Sequence, residues 1–173
     1  MDVKYDVRRF RGRQQVGSKR KVRREHEDRL IDELLRDLKS HERVLEMKKY
    51  MQHGRITTFD HCESVAKLSY RINKRLHLNA DEKVLLKAGM LHDFFLYDWH
   101  RDEDGTHPWH GYHHADKALE NANKYFEMDE REKSVIWSHM WPLNITRFPK
   151  SKEAWIVCMA DKMISCVETL FKR

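Results

Sequence analysis

The stretch Lys87-Ala88-Gly89-Met90-Leu91-His92-Asp93-Phe94-Phe95-Leu96 decides how the chain is read. A carboxylate and an imidazole stand side by side in an otherwise apolar run. Burying a carboxylate is costly unless something pairs with it, and a divalent cation is the strongest partner on offer. Adjacent residues on a helix diverge by about 100°. His92 and Asp93 therefore converge on one ion only at a helix end or a bend.

Outward from this dipeptide the pattern is helical on both sides. Val84, Leu85, Ala88, Leu91, His92 and Phe95 share one stripe, and Asn79 with Glu82 reads as an Asn-started capping box ahead of it. Upstream, Thr57 or Thr58 caps a helix on which His61, Val65, Leu68, Ile72 and Leu76 face one way. Further upstream, Leu30, Ile31, Leu34, Leu35 and Leu38 form a stripe that Val44, Leu45, Met47 and Met51 continue in a second helix, with Ser40 as cap and Gly54 as stop. Downstream comes a loop from Tyr97 to Gly111. A helix from about Tyr112 follows, carrying His114, Ala118, Ala122 and Tyr125 inward. Asp129 and Glu132 open another, with Val135, Ile136 and His139 inward and Pro142 as its stop. Ser151 caps the last, lined by Ala154, Val157, Cys158, Asp161, Ile164 and Glu168.

Only 6 glycines and 3 prolines punctuate the chain, and strand-like alternation is nearly absent, so the fold class is all-α, a helical bundle. At 173 residues, with 40% apolar and 36% charged residues, the chain has the makings of one charge-rich globular core. It holds no apolar run long enough for a transmembrane helix, and no apolar segment follows its first basic residues as in a secretory signal. Cys62, Cys158 and Cys166 are odd in number and lack CxxC spacing, which reads as reduced thiols and a cytoplasmic location.

The charge is uneven. Residues 1–24 hold ten Lys/Arg against two Asp, a net of +8, whereas the whole chain is +6, leaving about −2 for the rest. The expected organisation is a basic flexible arm at 1–24, a helical extension at 25–54 and a metal-binding helical domain at 55–173. Such an arm suits an anionic partner, RNA or another nucleic acid, or a membrane surface.

Five helical segments each place a metal-capable residue on an apolar face: His61, His92-Asp93, His114, His139 and Asp161. Each alone would need its own buried partner. A shared pair of cations satisfies them together, and imidazole with carboxylate but no thiolate suits Mn, Fe, Zn or Co.

The order His61 … His92-Asp93 … Asp161 resembles the H…HD…D signature of the HD-domain metal-dependent phosphohydrolase superfamily, over about residues 55–170. The local contexts agree: His61-Cys62-Glu63-Ser64-Val65-Ala66, Leu91-His92-Asp93 and Ala160-Asp161. The stretch from LHDFFLYDWH through HGYHHA to HMWPL is also similar to an uncharacterised bacterial branch of that superfamily. The resemblance implies an all-helical bundle in which these four residues hold one divalent ion. Two histidines between the HD pair and the last Asp imply a second ion; His139 fits one position, and His113 or His114 the other. Ala115 stands where the family often has proline, which leaves that choice open, although His114 shares a face with Ala118.

The implied reaction is hydrolysis of a small phosphorylated substrate, a phosphomonoester or phosphodiester, nucleotides included. Asp93 is the natural bridge between two ions, and His110 or His113 a proton donor to the leaving group. Asp98, Trp141, Arg147 and Lys150 are candidates for holding substrate, as are Trp99 and Trp109; the plainer reading has the tryptophans covering the core and Arg147 and Lys150 as ordinary loop charge. Two other readings use the same residues: a di-iron oxygenase, and an RNA- or ribosome-associated protein with a structural metal site.

Overall fold

The structure, a computed structural model, describes residues 7–98 and 110–171. The chain divides into two compact units, Met1–Leu34 and Leu35–Arg173. The first is built on one long helix, α1 (Val7–Leu34), which runs through the 24/25 boundary that charge suggested. Apolar residues are spread around it with almost no sidedness. Ion pairs at i and i+4, Lys21 with Glu25 and Arg23 with Glu27, support its second half.

The second unit begins with two short helices, α2 (Arg36–Ser40) and α3 (Glu42–Glu46), a 3₁₀ turn at Met47–Lys49, and an antiparallel hairpin of β1 (Met51–His53) and β2 (Ile56–Thr57). Three long helices and two short ones follow: α4 (Thr58–Leu76), α5 (Glu82–Leu91), α6 (His110–Tyr125), α7 (Glu130–Ser138) and α8 (Lys152–Phe171). The all-α expectation holds, since the hairpin is the one sheet among the described residues. Met51, expected on a helical stripe, belongs to that hairpin. Gly54, at a φ of 58°, makes the tight turn that the strands need.

The caps show how local chemistry starts each helix, and two differ from expectation. His41 rather than Ser40 caps α3, its ring accepting from the Arg43 amide at 3.2 Å, while the Ser40 hydroxyl donates back to the Asp37 carbonyl. Asp81 rather than Asn79 caps α5; it sits directly before Glu82, and Asn79 instead takes a left-handed φ of 53°. Asp81 is fixed in turn by α8, where Glu153 accepts from its amide at 2.8 Å. Thr57 caps α4, Asp129 with Glu132 forms a full capping box on α7, and Ser151 caps α8.

Helix α4 lies mainly against α5 and α8, which makes it the centre of the bundle. Its buried stripe runs His61, Cys62, Val65, Ala66, Ser69, Tyr70 and Asn73. The expected stripe is right at His61 and Val65 but drifts outward afterwards, until Leu76 is 64% exposed. Small residues win the buried face because α5 comes in close there. A Cβ on Gly89 would lie 3.0 Å from the Ala66 Cα, a tight approach to backbone that glycine avoids. This contact brings the C-terminal end of α5, and with it His92, against the first turns of α4.

Candidate metal centre

His92 and Asp93 directly follow the last residue of α5, at a helix end as their convergence requires. His139 occupies the equivalent place after α7. The last carbonyls of a helix have no partner within it, and both histidines use one. His92 Nδ1 lies 2.8 Å from the Gly89 carbonyl and His139 Nδ1 lies 2.7 Å from the Ile136 carbonyl, three residues back in each case. A carbonyl only accepts, so Nδ1 donates there, and Nε2 turns toward the interior as the atom free to take a proton or an ion. His61, in the first turn of α4, reaches the same result through a carboxylate: its Nδ1 lies 2.8 Å from Glu168 Oε2 on α8.

These nitrogens converge on two aspartates. Asp161 Oδ1, from the middle of α8, is 3.2 Å from His61 Nε2 and 3.7 Å from His92 Nε2. Asp93 Oδ2 is 3.5 Å from His92 Nε2 and 3.8 Å from His61 Nε2. Its other oxygen, Oδ1, faces the opposite way, 3.2 Å from His114 Nε2 and 3.3 Å from His139 Nε2. Asp93 therefore stands between two donor groups, His61–His92–Asp93 and Asp93–His114–His139, each close enough to hold one ion. Of the two histidines left open in the sequence, His114 on α6 is buried within this cluster, whereas His113 is exposed.

All six of these side chains are buried. His92 Nε2 and Asp93 Oδ1 are sealed from solvent, yet neither has a hydrogen bond to any described residue. The Nε2 atoms of His114 and His139 lie only 3.0 Å apart. Buried polar atoms left without partners beside two carboxylates are costly unless a cation is shared among them, so the donor set fits divalent metal ions.

The electrostatics agree. Burial presses His61 down, but the Asp161 and Glu168 carboxylates beside it hold its imidazole up to about 10. Burial also disfavours charge on His92, and Asp93 next to it still carries it well above its ordinary value. Asp93, opposed by burial but facing His92 and His114, is held well below the usual carboxylate range. Asp161 is likewise depressed, against burial, by His61 and His92. Without an ion, protons on the imidazoles stand in for it. His139 differs: burial dominates and lowers it, leaving a neutral ring.

Three residues to which the sequence analysis assigns no role hold the centre in shape. Gln52, on β1 and 7% exposed, donates to Asp93 Oδ2 at 2.6 Å, and its own carbonyl accepts from Thr58. Asn121 on α6 donates to the carbonyls of Phe94 and Phe95, pinning the turn after Asp93 just before Leu96 takes a left-handed φ of 58°. Glu168 lay on the expected stripe without an assigned function.

Beside the centre opens a cavity of about 580 Å³ lined by Asp93, His114, Asp161, Gln52, Lys162 and Ser165, with Met140, Pro142 and Leu143 as an apolar wall. Other expected site residues fall elsewhere. Arg147 pairs with Asp116 at 2.7 Å and lies over the Trp137 ring. Trp141 joins Trp155 and Phe148 in an edge-to-face cluster, Lys150 is exposed, and Asp98 is half-buried at the end of a described segment. Trp99, Trp109 and the His110 side chain lie outside the described residues.

A comparison with protein families finds the HD domain over residues 58–165, a span that includes all six candidate ligands. The chain belongs to the HD-domain superfamily. That superfamily is one of metal-dependent phosphohydrolases whose members bind divalent metals, and the cluster around Asp93 is compatible with such a site. Comparison with curated proteins and with solved structures found no match. Among the described residues no helix is long and apolar enough to cross a membrane.

Proposed function

We propose that this HD-domain protein is a phosphohydrolase that cleaves a phosphomonoester or phosphodiester of a small molecule, nucleotides included, at a site holding two divalent ions. The observation that carries the reading is Asp93, whose two oxygens face two separate sets of imidazole nitrogens. His61, His92, Asp93 and Asp161 hold the first ion, and Asp93, His114 and His139 the second. Mn, Fe, Zn and Co all suit this nitrogen and oxygen set. When bound, a pair of such ions supplies a water acidified toward neutrality and positive charge on the phosphate oxygens.

The protein's own groups do the rest. Burial of the six ligands holds their side chains in place, while Asp93, His114 and Asp161 line the cavity by which water and substrate reach them. Lys162, a third exposed at its side chain, donates to the His139 carbonyl at 2.8 Å and lies 3.5 Å from Asp161 Oδ2, on the wall of the cavity. Its ammonium is the cation placed to meet a phosphate that enters there. Met140, Pro142 and Leu143 offer an apolar surface to the remainder of the substrate. A volume of about 580 Å³ suits a small organic phosphate. His113, exposed one residue before His114, and His110 at the start of α6 are the candidates for protonating the leaving group.

The test is metal analysis of the purified protein, followed by a panel of phosphomonoesters, phosphodiesters and nucleotides assayed with Mn. Release of inorganic phosphate or of an alcohol in step with metal content supports the proposal. Turnover that requires iron and consumes oxygen, with no hydrolysis of any panel member, overturns it in favour of an oxygenase.

A further inference from the structure

From Val7 to Arg24 the chain carries nine Lys/Arg and no Asp or Glu: Arg8, Arg9, Arg11, Arg13, Lys19, Arg20, Lys21, Arg23 and Arg24. The whole run lies within the single helix α1. We propose that this helix is a docking element for the phosphate backbone of duplex nucleic acid, bound without sequence preference.

Three observations select this partner. The first is charge spacing. At 1.5 Å per residue the 18 residues span about 27 Å, or one cation per ~3 Å of axis. The phosphates of one strand of a duplex recur every ~3.4 Å, so the two charge densities match along their lengths.

The second observation is the lack of sidedness. Apolar residues on α1 do not gather on one face. A helix that lies in a membrane interface needs an apolar face to bury, and α1 has none to offer. Stepped by about 100° per residue, all of the basic positions except Arg11 and Lys21 fall within an arc of about 160°, a broad cationic face that suits a rod laid along phosphates. Where side chains are described, the cations stand in solvent: Lys21 is 79% and Arg23 63% exposed, paired with Glu25 at 3.9 Å and Glu27 at 3.4 Å.

The third is composition. Phe10 is the one aromatic residue between Val7 and Arg24. Proteins that grip single strands interleave cations with aromatic rings on which bases stack. A cationic helix nearly without rings reads backbone charge instead.

The experiment uses the full chain and a fluorescein-labelled mixed-sequence DNA duplex, followed by anisotropy across a salt series. If about six cations are engaged, affinity falls by roughly a thousandfold between about 50 and 200 mM salt. A variant combining Arg20→Gln, Lys21→Gln, Arg23→Gln and Arg24→Gln keeps helix propensity nearly unchanged. It should bind far more weakly and show a log–log salt slope smaller by up to about 3–4. The matching Arg→Lys variant at positions 20, 23 and 24 should bind like the parent. Metal content of both variants should equal the parent's, which separates a lost docking element from a damaged fold. Absence of duplex binding at about 50 mM salt, binding that the four Gln substitutions leave intact, or preference for phosphatidylserine vesicles over the duplex would overturn the proposal.

Discussion

His61 Nδ1 and Glu168 Oε2 meet at 2.8 Å across the bundle, from the first turn of α4 to the end of α8. Glu168 is 1% exposed, and its other oxygen has no hydrogen bond among the described residues. A buried carboxylate so placed fixes the His61 tautomer and makes Nε2 more basic toward an ion. Glu168→Gln keeps the shape but removes the charge, so affinity at the first ion site should drop by about 10–100-fold. Chelator competition measures this. Unchanged affinity in Glu168→Gln would show that the carboxylate does not tune His61.

Gly89 ties the fold to the site. Alanine in a helix interior ordinarily gains up to about 1 kcal/mol over glycine. Here the added methyl would meet the Ala66 Cα at 3.0 Å, and overpacking against backbone costs about 1–3 kcal/mol. The clash wins, so Gly89→Ala should lose about 1 kcal/mol of stability rather than gain it. The Gly89 carbonyl also orients His92, so metal affinity should fall as well. Thermal melts with and without Mn separate the two effects.

The ligands were legible in the sequence because each interrupts an apolar stripe with a group that cannot be buried alone, and the placement of His92-Asp93 at a helix end followed from the angle between neighbours. Their helpers were harder to see. Gln52 lies on a three-residue strand, too short for periodicity to announce. Asn121 acts through its amide on two carbonyls of a turn, and sequence spacing carries no signal for such a contact. Glu168 shares a stripe with Asp161, but a stripe names a face and not the residue across from it. The outward drift of Leu68, Ile72 and Leu76 went unseen because hydrophobic pattern favours large residues, whereas the α4–α5 crossing is closed by Ala66 and Gly89.

The two donor groups should respond differently to substitution. Asp93→Ala removes the residue common to both, so both ions and all hydrolysis should be lost. Asp161→Ala should strip the first ion together with activity. His139→Ala should leave close to one ion per chain, because His61, His92, Asp93 and Asp161 remain. Metal content per chain, read by atomic emission, decides the matter. An Asp93→Ala protein as rich in metal as the parent would exclude the bridging role.

Ion binding should also release protons. In the metal-free protein His61 is held at about 10, against an ordinary value of 6.5, by Asp161 and Glu168 despite burial. Near neutral pH its ring therefore carries a proton that must leave before Nε2 can bind an ion. Loading should release a proton from His61 near pH 7, and a second from His92, which Asp93 also holds well above its ordinary value. Calorimetry in buffers of different ionisation enthalpy should then give different apparent heats. The sign for stability follows from the same shift. A histidine raised in the folded state stabilises the metal-free protein fully below its unfolded value of 6.5, and that contribution is lost as pH climbs through about 10. Ligation runs the other way, weakening below about pH 6 as imidazoles protonate. Raising pH from neutral toward 10 should thus lower the melting temperature of the metal-free protein while the gap between loaded and metal-free forms widens. A gap that narrows over this range, or heats that do not depend on the buffer, would show that no proton on His61 is exchanged for an ion.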